Sequence, residues 1–185
     1  NNNCFFPHYS PDHIRDRVET SLLNNVLSNV NKKVIYKYYP SQNYLYDDNP
    51  YAKRAKEIPN IVVSEEEDFR YIRTAADVIV TSAPFSTLGW CVGLDKPMVY
   101  LDSPMFQPLD NDLVSKAFHE CFFVFNIDLG GWEERLLEFL NKSFEEIESR
   151  WQDKSCYREQ YDNIYFLNRD KNAGQIGADF ISKII

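Results

Sequence analysis

A short unit in the middle of the chain constrains the fold most: residues 76–104, ADVIVTSAPFSTLGWCVGLDKPMVYLDSP. The apolar run Val78-Ile79-Val80 gives way to small and hydroxylic residues, Thr81, Ser82, Ala83, Ser86 and Thr87, ahead of a compact helical segment. A second apolar run, residues 98–101, follows Lys96-Pro97. The pattern predicts strand, turn, helix, strand. Such a unit brings a helix N-terminus, with its unpaired N–H groups and partial positive charge, to the carboxyl edge of a parallel sheet, where a phosphate can be held.

The flanking segments repeat the alternation. Ser10-Pro11-Asp12 is a helix start, with Ser as cap, Pro in the first turn and an acid at the positive end of the dipole. Ile14, Val18, Leu22, Val26 and Val30 then recur every four residues, which predicts a helix over residues 11–30. Before it, Cys4-Phe5-Phe6 reads as the end of a first strand. Residues 33–39, KVIYKYY, form a strand stopped by Pro40-Ser41, a short helix follows at residues 50–56, and Ile61-Val62-Val63 is a brief buried strand. Ser64-Glu65-Glu66-Glu67 has the form of a capping box opening a helix on which Phe69, Ile72 and Ala76 share a face. Beyond a Pro-rich loop, residues 111–119 read as helix and 122–125 as the last strand. Gly130-Gly131 then introduces a helical tail over 130–185, in which Ser143 and Glu146 form a second capping box and Ile176, Phe180 and Ile184 recur by four. Short strands apolar on both sides, alternating with helices, predict a doubly wound, mainly parallel α/β sheet covered on both faces, as a single domain over residues 1–185.

Composition narrows the function classes. With 185 residues, 44% of them apolar, the chain can bury its own core, while a net charge of −8 argues against broad binding to nucleic acid or to an anionic membrane. No apolar run approaches a membrane span, and the opening residues are not a leader. The four cysteines form no CxxC pair, and Cys91 and Cys121 lie in apolar runs, which fits reduced thiols in the cytoplasm. The missing initiator Met and the opening Asn1-Asn2-Asn3 lead to the expectation of a chain cut from a longer one.

An acidic chain must hold an anionic ligand locally. The hydroxyls of Ser82, Ser86 and Thr87, with the N–H groups around them, suit a diphosphate; plain helix capping accounts for one hydroxyl rather than three. Gly89 and Gly93 would let the helix lie close to the sheet or a ligand approach. Lys37, at a strand end, would reach a phosphate from the opposite side or stand as a solvated charge, with Tyr39 beside it stacking or in the core. Ser64 and Glu65, at the same edge, would meet a base or ribose hydroxyl. Asp110-Asn111-Asp112 has the DxD form of metal-dependent sugar transferases but precedes a helix, where capping explains it. His8, His13 and His119 have no metal-ligand spacing, and no acid can be paired with them from sequence. Neither GxGxxG nor a P-loop occurs.

Taken together, Lys37-Tyr38-Tyr39-Pro40, the run from Phe69 to Asp77, Val78-Ile79-Val80-Thr81-Ser82, Ser86-Thr87 and Gly93-Leu94-Asp95-Lys96-Pro97-Met98-Val99-Tyr100 resemble the C-terminal half of a GT-B glycosyltransferase. The groups it is most similar to are the bacterial capsule, lipopolysaccharide and teichoic-acid transferases, including the CDP-glycerol glycerophosphotransferase type. The resemblance covers residues 33–101 and, more loosely, the tail. It implies a Rossmann-like domain that binds a nucleotide-activated sugar or polyol as substrate, with no metal and no further cofactor. Lys37, Ser86 and Thr87 would hold the donor phosphates and Ser82 would line the turn. The implied partner is the N-terminal GT-B half, which carries the acceptor site. The implied location is cytoplasmic, peripheral to the inner membrane through the rest of the protein. Tyr39 stands where the family often has His, and Trp90 where many members have an acid. A non-catalytic α/β interaction module and a sugar-nucleotide epimerase relative are the alternatives.

Overall fold

The computed structural model describes residues 12–38, 50–65, 68–82, 86–103, 112–165 and 173–183. The first helix, α1 (Asp12–Ser21), runs into a π-helical turn at Leu22–Val26 and a 3-10 turn at Leu27–Asn29. Its sequence explains the change of pitch. Residues four apart overshoot a 3.6-residue turn by about 40°, so a long stripe spaced by four drifts off one face unless the helix widens. The N–H of Leu27 accordingly bonds back to the carbonyls of both Leu22 and Leu23, and Leu22, Leu23, Val26, Leu27 and Val30 are all buried.

β1 (Val34–Lys37) pairs in parallel with β2 (Ile61–Ser64), Val34 opposite Ile61 and Lys37 opposite Ser64, across α2 (Pro50–Lys56). The side-chain amide of Asn60 donates to the carbonyls of Leu27 (2.8 Å) and Val30 (2.9 Å), tying the end of the first helical segment to the start of β2. A second parallel sheet has the order β3 (Ile79–Thr81), β4 (Met98–Asp102), β5 (Phe123–Asn126). Between its strands lie α4 (Ser86–Val92) and α5 (Asp112–Cys121), and α3 (Phe69–Ile72) precedes β3. The tail comprises α6 (Trp132–Leu140), α7 (Phe144–Gln152), α8 (Ser155–Tyr165) and α9 (Ala173–Ser182). Every strand pair among the described residues is parallel, and both sheets contribute to one apolar core through Tyr36, Ile61, Ile79, Met98 and Tyr100.

β4 is buried at all five positions, as a strand covered on both faces must be. The other sheet departs from that expectation: the register partners Ile35 and Val62 are 46% and 60% exposed. A second departure concerns α3. Ser64 belongs to the end of β2 and is buried, and α3 begins later than expected: Asp68, three residues before Tyr71, is its cap and accepts the N–H of Arg70 at 2.8 Å. At Ser143 the expected cap forms, with the N–H of Glu146 at 3.1 Å from the Ser143 hydroxyl, while the Glu146 carboxylate that would complete the box is paired with Lys142 at 2.6 Å. Gly131 takes up φ 72°, which suits a residue without Cβ ahead of α6. The expected strand end at Cys4-Phe5-Phe6 lies outside the described residues.

Much of the aromatic content is core rather than surface. Phe118 meets Tyr100 edge-on at 5.1 Å and Phe122 at 4.7 Å, and Tyr161 of α8 closes over Phe122 at 5.8 Å. Arg158 lies over the indole of the fully buried Trp151 at 3.6 Å. No helix among the described residues is long and apolar enough to cross a membrane.

Leu136 is completely buried, so Leu136→Ala is expected to lower unfolding free energy by about 2–5 kcal/mol in urea titration, whereas Ser143→Ala removes only a cap and costs about 1 kcal/mol.

Candidate functional site

The carboxyl ends of parallel strands are where an α/β fold presents groups to a ligand, because backbone N–H groups and side chains there are not enclosed by the sheet. At the ends of β1 and β2, Lys37 and Ser64 are register partners. The Lys37 ammonium donates to the carbonyls of Glu65 (3.0 Å) and Ser64 (3.4 Å) and stands 5.9 Å from the centre of the Tyr38 ring. The Glu65 carboxylate is paired with Lys56, whose own pKa is raised by that hydrogen bond. Lys37, Ser64 and Glu65 are thus gathered at one edge, with the lysine turned toward peptide oxygens. Tyr39 lies outside the described residues.

Next to them, the Arg70 guanidinium grips the Asp68 carboxylate at 2.7 and 3.0 Å and holds it well below the usual carboxylate range, at about 2. Arg70 and Arg73 lie 5.9 and 5.0 Å from the ring centre of Trp90 on α4, and Arg73 also donates to the Trp90 carbonyl. Lys96 donates to the carbonyls of Thr74 and Ala76, each at 2.6 Å. These contacts fix α4 against the segment that ends at Ala76.

At the end of β3, Thr81 is buried and Ser82 exposed, and Ser86 and Thr87 are the first two residues of α4; their side chains, like residues 83–85, lie outside the description. Gly89 and Gly93 do not mark a close packing of the helix on the described residues. A methyl group on Gly89 would meet nothing within 4 Å, and one on Gly93 would meet only the Gly89 carbonyl at 3.5 Å. Gly93 instead follows the last turn of α4, its N–H bonded to Gly89 at 3.2 Å. Of Asp110-Asn111-Asp112, Asp112 opens α5 and the other two lie outside the described residues.

The end of β4 carries a pair that sequence reasoning missed. Asp102 is 2% exposed at the end of an otherwise apolar strand, and its Oδ1 has no hydrogen-bond partner among the described residues. His119, half-exposed in the last turn of α5, places Nε2 at 3.6 Å from Oδ2 of Asp102, so one of the three histidines does have an acid beside it. Ser103 donates to Asp128 at 2.7 Å close by, and Asp128 takes its N–H to the Asn126 side chain at 2.9 Å. Burial raises the Asp102 carboxyl pKa, outweighing the opposing pull of His119. At 3.6 Å the two are in charge contact rather than hydrogen-bonded, an exposed imidazole beside a buried acid. The signal in the sequence was an aspartate directly following Met98-Val99-Tyr100-Leu101; its partner 17 residues on carried no periodic mark. Cys91 and Cys121 are buried, and burial pushes both thiols up to about 11, so they behave as small apolar side chains.

No family model matches the chain, and no curated protein or solved structure matches it significantly.

A raised carboxyl pKa means that the folded state holds the Asp102 proton more tightly than the unfolded one does, so its contribution to stability is greatest at acid pH and falls as pH rises past about 4. Asp102→Asn abolishes that loss. In urea titrations the variant is expected to gain on the parent between about pH 4 and 7, by about 1.4 kcal/mol per unit of displacement; a constant difference across that range would show that Asp102 does not titrate abnormally.

Proposed function

We propose that this chain is the donor-binding half of a GT-B glycosyltransferase, or glycerophosphotransferase, of bacterial surface polysaccharide synthesis. The observation that carries the reading is the convergence of Lys37, Ser64 and Glu65 at the carboxyl ends of parallel strands, together with a strand–turn–helix in which Ser82, Ser86 and Thr87 follow β3. In this reading the ligand is a nucleotide-activated sugar or polyol. Its diphosphate lies beside the start of α4, with Lys37 exchanging its peptide oxygens for phosphate oxygens, and its nucleoside lies over Ser64 and Glu65. Amide and hydroxyl donors stabilise the departing diphosphate without a metal ion. The acceptor and the base that activates it belong to a second Rossmann-like half, so the chain binds donor without transferring it.

The doubly wound order belongs to the same proposal. With one more parallel strand seated between β1 and β3, the two sheets join as a single sheet in which the strand order reverses beside β3, next to Ser82.

A non-catalytic interaction module is the second reading, and one observation favours it: Lys37 is engaged by peptide oxygens and Glu65 by Lys56. Titration calorimetry with CMP-, CDP-, UDP- and GDP-linked donors separates the two. The donor reading expects heat with at least one donor and binding about tenfold weaker in the Ser86→Ala/Thr87→Ala double variant, with stability changed by about 1 kcal/mol. Silence from every donor at about millimolar concentration would leave the module reading standing.

A further inference from the structure

The sheet of β3, β4 and β5 ends at β5, which among the described residues pairs with β4 alone. A groove of about 320 Å³ lies there, bordered by the consecutive residues Phe122, Phe123, Val124 and Phe125. Phe123 and Phe125 meet Phe139 of α6 at 4.7 and 5.5 Å, so the two-residue alternation of a strand turns Val124 to the opposite face. A groove bordered by side chains from both faces fits one that follows the edge of the strand, where the outward N–H and C=O groups of β5 have no strand partner among the described residues.

The remaining walls are Phe139, His119, Arg150 and Lys154. Arg150 and Lys154 give the groove a cationic border, His119 standing there beside the buried Asp102, and among the described residues no carboxylate borders it, in a chain whose net charge is −8. The Lys154 ammonium spends its hydrogen bonds on the carbonyls of His119 (3.2 Å) and Glu120 (2.8 Å), holding the end of α5 beside the edge, while Arg150 is exposed on α7.

We propose that the outer edge of β5 takes an extended acidic segment of a partner protein as an added strand. Main-chain hydrogen bonds to β5 give the register. Carboxylates on one face of the segment lie toward His119 and Arg150, and alternate apolar side chains lie toward Phe139. A second copy of this chain is the poorer occupant. Two β5 edges related by a twofold axis would bring the cationic borders of both copies into one interface, and two chains of charge −8 repel.

Fluorescence anisotropy with three labelled peptides tests this on the full chain: alternating Val and Glu, alternating Val and Lys, and the Val/Glu peptide interrupted by a central Pro. The expected result is saturable binding of the Val/Glu peptide alone, weakened about fivefold or more by Arg150→Glu. It should also slow amide exchange within residues 123–126. Arg150 is exposed, so its replacement leaves the core intact. The proposal is overturned by absence of binding at about 1 mM, by equal binding of the Pro-interrupted peptide, which would mean charge without strand pairing, or by unaltered exchange at residues 123–126. It is equally overturned by a concentration-dependent dimer that excludes the peptide, which would make the second copy the occupant.

Discussion

Parallel pairing of β4 with both β3 and β5 is the constraint on which the rest depends. Strands that run the same way cannot be joined by a hairpin, so each must be followed by a crossover long enough to bring the chain back, and the crossovers become the helices that bury the sheet. Met98, Val99, Tyr100 and Leu101 are apolar and buried in succession, so both faces of β4 are covered. Parallel pairing also brings the carboxyl ends of neighbouring strands to one edge, where Lys37 and Ser64 stand in the first sheet and Thr81 and Asp102 in the second.

How much of this was legible in the sequence differs by element, for physical reasons. The helix at Pro50–Lys56 could be bounded from its residues alone, because a proline suits a first turn and three cations suit the last. The strands could be placed to within a residue or two, since a short β-branched run between turn residues has few other uses. What could not be read was anything depending on which residues meet in space. Ser64 and Asp68 are both good caps by type, and the choice between them turned on β2 running one residue further than its apolar run, which burial decided. The spacing that pairs His119 with Asp102 is set by the angle at which α5 crosses the sheet, and that angle has no sequence signature. Exposure of Ile35 and Val62 was invisible for the same reason, since an apolar strand reads alike whether one face or two are covered.

Lysine has a consistent use here that composition conceals. Lys32 donates to the carbonyls of Leu140 and Lys142, Lys37 to Ser64 and Glu65, Lys96 to Thr74 and Ala76, and Lys154 to His119 and Glu120. Each ties together segments at least 20 positions apart in the chain. Carbonyls at the ends of helices and strands lack partners within their own element, and an ammonium on a long flexible stem reaches several of them at once. In a chain with 28 acidic residues and 20 lysines and arginines, this withdraws cations from the carboxylates and leaves the surface more negative in character than the count suggests.

The π turn at Leu22–Val26 has a consequence for how this chain tolerates changes of length. Loss of a single position inside it, such as the half-exposed Asn24, would let the coil tighten to ordinary pitch, and because five residues of π-helix turn the chain about as far as four of α-helix, the flanks would keep nearly the same facing. Glu19 would stay beside the Tyr36 hydroxyl and Ser21 beside Glu133. A one-residue deletion there would thus be absorbed as a change of pitch, whereas the same deletion within α1 would turn everything upstream of it by about 100°.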